Sequence, residues 1–330
     1  MRSNLNKTTM KALVYDGRAS LREVPVPVPG PGEALVRVSV AGICKTDIEI
    51  SKGYMDFRGV LGHEFCGVVE YSPDEALTGK RVVGEINAGC NECPYCRKGL
   101  SRHCPHRTVL GIQGRDGAMA EYVTLPVANL LVVPDHVPDE HAVFVEPIAA
   151  AVEILEQVHI KPADKVLIIG DGKLGLLISM VMRLSGCDPV LVGRHPEKLA
   201  VFSRLGGSAL LEAALAEKPE PFDVVVEASG SPLGWELAVG RVKPRGILVL
   251  KSTYHGNLNF NAALLVIREI TVVGSRCGPF APALKLLETG LLDPTPLVSG
   301  VYGLSDAEEA FRKCGGKGAL KVLLRIGEAS

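Results

Sequence analysis

One stretch restricts the possible folds more than any other: KVLIIGDGKLGLLISMVMRLSG, beginning at Lys165. Its first part is apolar without polar alternation, as in a strand covered on both faces of a parallel sheet. A helical spacing of apolar residues follows at once. Downstream, PVLVG, PEKLAVFSRLG, FDVVVEASG, LGWELAVGRV and GILVLKS repeat strand and helix in turn, and a helix-like run and EITVVGS complete the series. Such alternation predicts right-handed βαβ units and a doubly wound parallel sheet, hence an α/β fold of the Rossmann kind.

The turn between the first strand and its helix reads Gly170-Asp-Gly172-Lys173-Leu174-Gly175. A GxGxxG string gains meaning in this context, after a buried strand and at the start of a helix. Gly170 permits the tight turn, Gly172 lets a pyrophosphate approach the backbone, and Gly175 lets helix and sheet pack closely. Helix N–H groups then face the phosphates. Ser229, in the turn after FDVVVEA, joins these residues as a candidate cofactor contact. The second strand bears on which dinucleotide is bound. An acid at its end commonly accepts from the ribose 2′-hydroxyl of NAD. Here the strand ends in Gly193, Arg194 and His195, with no acid until Glu197. A small residue leaves room for a 2′-phosphate and Arg194 can pair with it, so NADP(H) is favoured over NAD(H).

The N-terminal part has a different grammar. KALVYD, ALVRVSV, GVVEY and KRVVGEI read as short strands between Pro and Gly turns, and VPVPVPGPGEA is a stiff connector. Four of the nine cysteines cluster as Cys90-x2-Cys93-x2-Cys96-x7-Cys104, with His103 and His106 beside them. Four thiolates on one zinc make a closed, structural site. A ferredoxin-type cluster would need a shorter last gap and a following proline; Pro105 is present, but the gap is seven residues. Disulfides are the third possibility, unexpected in a reducing compartment. Cys44 in GICKTD and His63 with Glu64 in GHEF are too far apart to form a finger, yet they could meet in space on one metal.

AGICKTD, LGHEFCGVV, the four-cysteine string, DGAMAEYV, VEPIAAA, GDGKLG and FDVVVEASG occur in this order almost end to end. In this the chain resembles the zinc-dependent medium-chain dehydrogenase/reductase family of alcohol, polyol and threonine dehydrogenases. The resemblance implies a mainly β, GroES-like catalytic domain at 1–147 and 291–330, carrying a zinc lobe near 87–106. A Rossmann domain would occupy 148–290. It implies a catalytic zinc on Cys44 and His63, with Glu64 in its inner surroundings. Glu146 of the VEP motif would be the third ligand, as in the polyol and threonine branches rather than the ethanol branch. Cys90, Cys93, Cys96 and Cys104 would hold a structural zinc. Thr46 falls at the family's proton-relay position, Asp47 at the acid that orients the zinc histidine, and Lys321 at a basic residue able to neutralise Asp47 or Glu64. Zinc would acidify the alcohol, and hydride would pass between substrate carbon and nicotinamide. Tyr54, Met55, Phe57 and the stretch GSRCGPF, with Arg276, would border the substrate, and the strand before GSRCGPF would pair subunits in a dimer or tetramer. One position departs from many members: Glu49 stands where they have a relay histidine.

Two alternatives share parts of this pattern. A zinc-free quinone reductase of the same superfamily would lack the set Cys44, His63 and Glu146. A non-catalytic zinc-binding protein would lack the dinucleotide fold. Composition excludes other classes. Lysine plus arginine number 36 against 37 acids, so no basic field points to nucleic acid or anionic membrane. No apolar run approaches the roughly 18 residues of a membrane span. The N-terminus is polar without a signal-peptide core, so a cytoplasmic location and a small-molecule substrate are expected.

Overall fold

The structure is a computed structural model and describes residues 7–217, 220–253, 258, 260–316 and 318–327. The opening residues 1–6, read above as part of a polar N-terminus, lie outside them. The chain divides into two compact units, residues 1–146 with 283–330 and residues 147–282.

The first unit is mainly β. Strands β1 (Thr9–Tyr15), β2 (Ala19–Pro25) and β3 (Glu33–Ile43) lead into helix α1 (Lys45–Ile50). Then follow β4 (Gly59–Val60), β5 (Glu64–Tyr71), β6 (Arg81–Gly84), β7 (Asn87–Ala88), the short helix α2 (Pro94–Arg97), β8 (Thr108–Leu110), β9 (Gly114–Arg115), β10 (Tyr122–Pro126), β11 (Leu130–Val132) and α3 (Asp139–Ala142). The long strand β3 is the spine of this unit. It pairs antiparallel with β5, β10 and the C-terminal strand β19 (Lys321–Arg325), and β19 pairs parallel with β18 (Val298–Gly303). Leu35, Val36, Val38, Ala41 and Ile43 of β3 are all fully or almost fully buried, so a run of apolar residues holds the spine inside. The C-terminal strands β18 and β19 lie in this first sheet, and helix α10 (Ala307–Cys314) stands between them in the chain.

The second unit carries α4 (Val145–Gln157, whose first residues belong to the first unit), β12 (Val166–Ile169), α5 (Lys173–Arg183), β13 (Val190–Gly193), α6 (Pro196–Arg204), β14 (Ser208–Leu211), β15 (Phe222–Glu227), α7 (Pro232–Arg241), β16 (Val242–Leu250), α8 (Ala263–Ile267), β17 (Thr271–Gly274) and the start of α9 (Phe280–Glu288). Its six-stranded sheet has the order β14-β13-β12-β15-β16-β17, and every pairing is parallel. This is the doubly wound order 3-2-1-4-5-6, which reverses direction between β12 and β15 and opens a crevice at their C-terminal ends. Val166, Leu167 and Ile168 have no measurable exposure, as the unalternating KVLIIG run requires. Leu167, Val225, Trp235 and Leu248 belong to one core cluster that joins sheet and helices.

Candidate active site and metal centres

Among the described residues, two clusters of metal-ligand side chains form, both in the first unit. In one, Cys44, His63 and Glu64 bring one ligand atom each to within 4.8 Å of one another. Local structure accounts for the placement. Cys44 caps the N-terminus of α1, and its own N–H donates to Asp47 Oδ2 at 2.8 Å. Asp47 thus fixes the turn that presents the thiol. Its other oxygen lies 3.3 Å from His63 Nδ1, but the alignment is not that of a hydrogen bond, and both atoms are buried without such a partner. Glu64 opens β5 opposite Gly42 of β3 and is fully buried. It pairs with the equally buried ammonium of Lys321, the first residue of β19. A Cβ at Gly42 would stand 2.5 Å from Glu64 Oε2 and 3.1 Å from Lys321 Nζ, so the glycine of AGIC makes room for this pair.

The electrostatics of the cluster are unbalanced. Burial disfavours the His63 imidazolium, yet the Asp47 carboxylate and the Cys44 thiolate outweigh it and raise its pKa well above the ordinary histidine value. Burial pushes the Lys321 ammonium down to about 8, against the pull of Cys44 and Asp47. The acidic groups Cys44, Asp47 and Glu64 outnumber the basic groups His63 and Lys321 by one, and all of them but the half-buried Cys44 are buried. Buried charge of this size needs compensation, and a divalent cation on a Cys, His and carboxylate set supplies it. The donor set therefore fits zinc.

The other expected residues fall around this cluster in different ways. Thr46 Oγ1 lies 3.8 Å from Cys44 Sγ. Glu146 sits half-buried in the first turn of α4 and is not one of the three grouped ligands. Glu49, the departure from the relay histidine, pairs at 3.0 Å with Lys52 in a partly exposed position. Tyr54 to Asp56 form a single turn in which Met55 and Asp56 have φ of 61° and 50°. Met55 and Phe57, with Arg58 and Gln113, line a cavity of about 570 Å³.

The second cluster is Cys90, Cys93, Cys96 and Cys104. Cys93 caps α2 and its sulfur accepts from the Cys96 N–H. The Cys104 sulfur accepts from the N–H groups of Cys90 and His106, which hold its pKa below the ordinary thiol value. Burial and the Cys93 thiol push Cys96 up to about 12. The sulfur–sulfur separations of 3.5 and 3.8 Å leave all four cysteines free of disulfides. They match the roughly 3.8 Å edge of a tetrahedron with Zn–S bonds of about 2.3 Å. His103 and His106 are outside the ligand group. Of the remaining cysteines, burial and the neighbouring Asp139 carboxylate push the Cys66 thiol far up, which suits a packing residue.

In the second unit the glycine loop is built as its sequence suggests. Gly170 has φ +122°, and a Cβ there would meet the Ala228 backbone at 2.7 Å; one at Gly175 would stand 1.8 Å from Gly170 O. A Cβ at Gly172 would meet nothing, which leaves open space before α5, whose first residues are Lys173 and Leu174. Ser229 donates to the buried Glu227 carboxylate through both N–H and Oγ, at 2.7 and 2.5 Å. A residue of the glycine loop, Asp171, reaches the end of the second strand. Asp171 Oδ2 accepts from the N–H groups of Arg194 and His195, each at 2.7 Å, and the His195 ring Nδ1 lies 3.0 Å from both carboxylate oxygens. A Cβ at Gly193 would come within 2.2 Å of this carboxylate. The side of Gly193 on which a side chain would project is thus taken up by Asp171. The adjacent Arg194 side chain is 59% exposed, with Nε 3.5 Å from Glu212.

A Rossmann sheet with a glycine loop, joined in one chain to a β unit bearing two clusters of metal-ligand side chains, is the arrangement of a dehydrogenase. Residues 30–135 match the alcohol dehydrogenase GroES-like domain and residues 174–289 the zinc-binding dehydrogenase domain. L-threonine 3-dehydrogenase of Streptomyces avermitilis is 32% identical over 96% of this chain and 99% of its own. D-arabitol-phosphate dehydrogenase of Enterococcus avium is 27% identical over 98% of both chains. A solved Sinorhizobium meliloti 1021 protein, held to be a zinc-binding dehydrogenase and bound to NADP, superposes with a TM-score of 0.89 at 29% identity, over 97% of this chain and 100% of its own. The chain belongs to the zinc-type medium-chain dehydrogenase/reductase family and is an oxidoreductase.

Proposed function

We propose that the protein is a zinc-dependent dehydrogenase that exchanges a hydride between a secondary alcohol or polyol, or the matching carbonyl compound, and NADP(H). The observation that carries this reading is the Cys44, His63 and Glu64 cluster, half-buried at Cys44 and buried at the other two, with its excess of negative charge, on a chain that also holds the glycine loop. Cys44, His63 and Glu64 would hold the catalytic zinc, with Glu146 as the further ligand the resemblance names. Cys90, Cys93, Cys96 and Cys104 would hold the structural zinc. Bound at the first cluster, zinc supplies Lewis acidity towards the substrate oxygen, and the nicotinamide supplies the hydride partner.

The chain's own residues do the rest. The Thr46 hydroxyl, beside Cys44 and partly exposed, would accept the proton that leaves the substrate hydroxyl while releasing its own to solvent. Asp47 holds Cys44 through its backbone and stands against His63, so one carboxylate orients two ligands. Lys321 balances Glu64. The open N-terminus of α5 receives the pyrophosphate. Arg194, exposed at the end of β13, favours the 2′-phosphate form of the cofactor. The family relatives named for threonine and for a polyol phosphate support substrates with neighbouring polar groups.

Elemental analysis combined with a substrate panel tests the reading. The expected result is two zinc ions per chain and oxidation of polyols, sugars, threonine or short alcohols, faster with NADP than with NAD. One zinc per chain, removed by substitution of the four-cysteine set, would overturn the catalytic site. A clear preference for NAD would overturn the role given to Arg194.

A further inference from the structure

We infer that Asp171 is a cofactor-selecting residue, reaching from the glycine loop to the end of β13 and setting a penalty on a phosphate at the ribose 2′ position. The inference rests on the dinucleotide reading above but not on which dinucleotide is preferred.

In dinucleotide folds of this order the adenosine ribose lies at the end of the second strand, where an acid bonds its hydroxyls or a base accommodates a phosphate. Here that strand is β13, and it ends at Gly193 without an acid of its own. Asp171 supplies one from the neighbouring turn. Its carboxylate occupies both successive N–H groups after the strand, those of Arg194 and His195. Successive backbone N–H groups make an anion-binding concavity. An incoming 2′-phosphate therefore finds this concavity already filled by an anion and must rely on side chains.

The surroundings make the choice a balance rather than a block. His195 Nδ1 covers both Asp171 oxygens at 3.0 Å, and the Arg194 guanidinium is shared with Glu212. Two cationic or potentially cationic side chains thus face two carboxylates in one small region. Hydrogen bonds from His195 and from the two amides keep the Asp171 carboxyl below its ordinary pKa although burial opposes them, so it is charged at neutral pH. Gly193 belongs to the same device, because any side chain there would displace the carboxylate.

The test is equilibrium binding of NADPH and NADH, followed by nucleotide fluorescence, so that it needs neither substrate nor turnover. Asp171→Asn keeps an oxygen acceptor for the amides and removes the charge. It should tighten NADPH relative to NADH by about tenfold, equivalent to about 1.4 kcal/mol. His195→Ala, at a partly exposed side chain, uncovers the carboxylate. It should weaken NADPH by about fivefold and leave NADH within twofold, as expected for a single screened charge interaction. A purely structural loop cap would instead weaken both nucleotides together or lower only the melting temperature. Unchanged NADPH/NADH ratios in both variants would overturn the inference, and so would a wild-type protein that binds neither nucleotide. A wild type that prefers NADH, with the ratio still shifting in Asp171→Asn, would overturn the NADP preference and support the role of Asp171.

Discussion

Lys321 is a fully buried ammonium whose partner, Glu64, is a fully buried carboxylate in the candidate metal cluster. Removing one member of such a pair leaves an uncompensated charge. Lys321→Met should therefore destabilise the metal-depleted protein by about 3–5 kcal/mol. Added zinc should recover much of the loss, because the metal then supplies the positive charge. Urea denaturation with and without zinc measures both terms, and equal losses in the two conditions would sink the charge-balance reading. Thr46→Val addresses the proton path alone. It should lower kcat by about 10²- to 10⁴-fold, the usual span for a lost proton-transfer group, with zinc content unchanged. Asp171 gives a prediction in pH. Its folded pKa is lowered, so its contribution to stability is complete above the ordinary value of 3.8 and is lost as pH falls through the lower folded value. Melting temperatures across that acid range should fall less steeply for Asp171→Asn than for the wild type. This residue also shows what spacing alone conceals. Counting along the chain from β13 found no acid before Glu197, whereas the acid at the strand end comes from 23 positions upstream of Arg194. The signal available was the Asp inside the glycine string, and its meaning depends on how two βα turns meet.

At the scale of elements, the parallel sheet was legible because burial on both faces leaves a plain mark, an apolar run without alternation. The first strand, VLII, keeps all four residues buried. Two elements left weaker marks. Strand β14 (SALL) lies at the edge of the sheet and is half-buried at three positions and exposed at the fourth, so no apolar run announces it. Helix α10 (Ala307–Cys314) buries Ala307, Ala310 and Phe311 at helical spacing, but two of the three are alanines and the intervening charges dominate the string AEEAFRKC. The candidate metal site shows the same contrast. The four-cysteine group announces itself locally because one short loop carries it all. Cys44, His63, Glu64 and Lys321 come together only through pairing of β19 and β5 on either side of β3, which no local pattern encodes. The lobe gives its own prediction. Cys104 is the fully buried member of the four and accepts two backbone N–H groups. Cys104→Ser should release one zinc per chain and lower the melting temperature, while the other zinc stays bound. Structural zinc contributes folding free energy directly. Loss of both ions together would show that the two centres do not act separately.

At the scale of the whole molecule, the sheet of the second unit presents an apolar edge open to a partner. Among the described residues, nothing pairs with the outer side of β17, and Val272 on that strand is 40% exposed. The helix before it leaves Val266 and Ile267 exposed at 76% and 79%. An apolar, unpaired edge strand is an association site unless it is blunted by charge, proline or a bulge, and Thr271–Gly274 carries no such residue. The other edge strand, β14, is as short as β17 but is followed directly by the turn Glu212–Glu217, with an acid at its start. Two copies can use the β17 edge through a two-fold axis, with the same patch contributed by each. A homodimer is therefore expected in solution, and a tetramer would need a second surface. Val272→Lys places a charge on the strand itself, and Ile267→Asp places one on the apolar helix face beside it. Each should convert the dimer to a monomer in sedimentation or light-scattering measurements without releasing zinc, because the metal clusters belong to the other unit. A wild-type monomer at micromolar concentration, or a dimer that survives both substitutions, would move the interface elsewhere on the molecule.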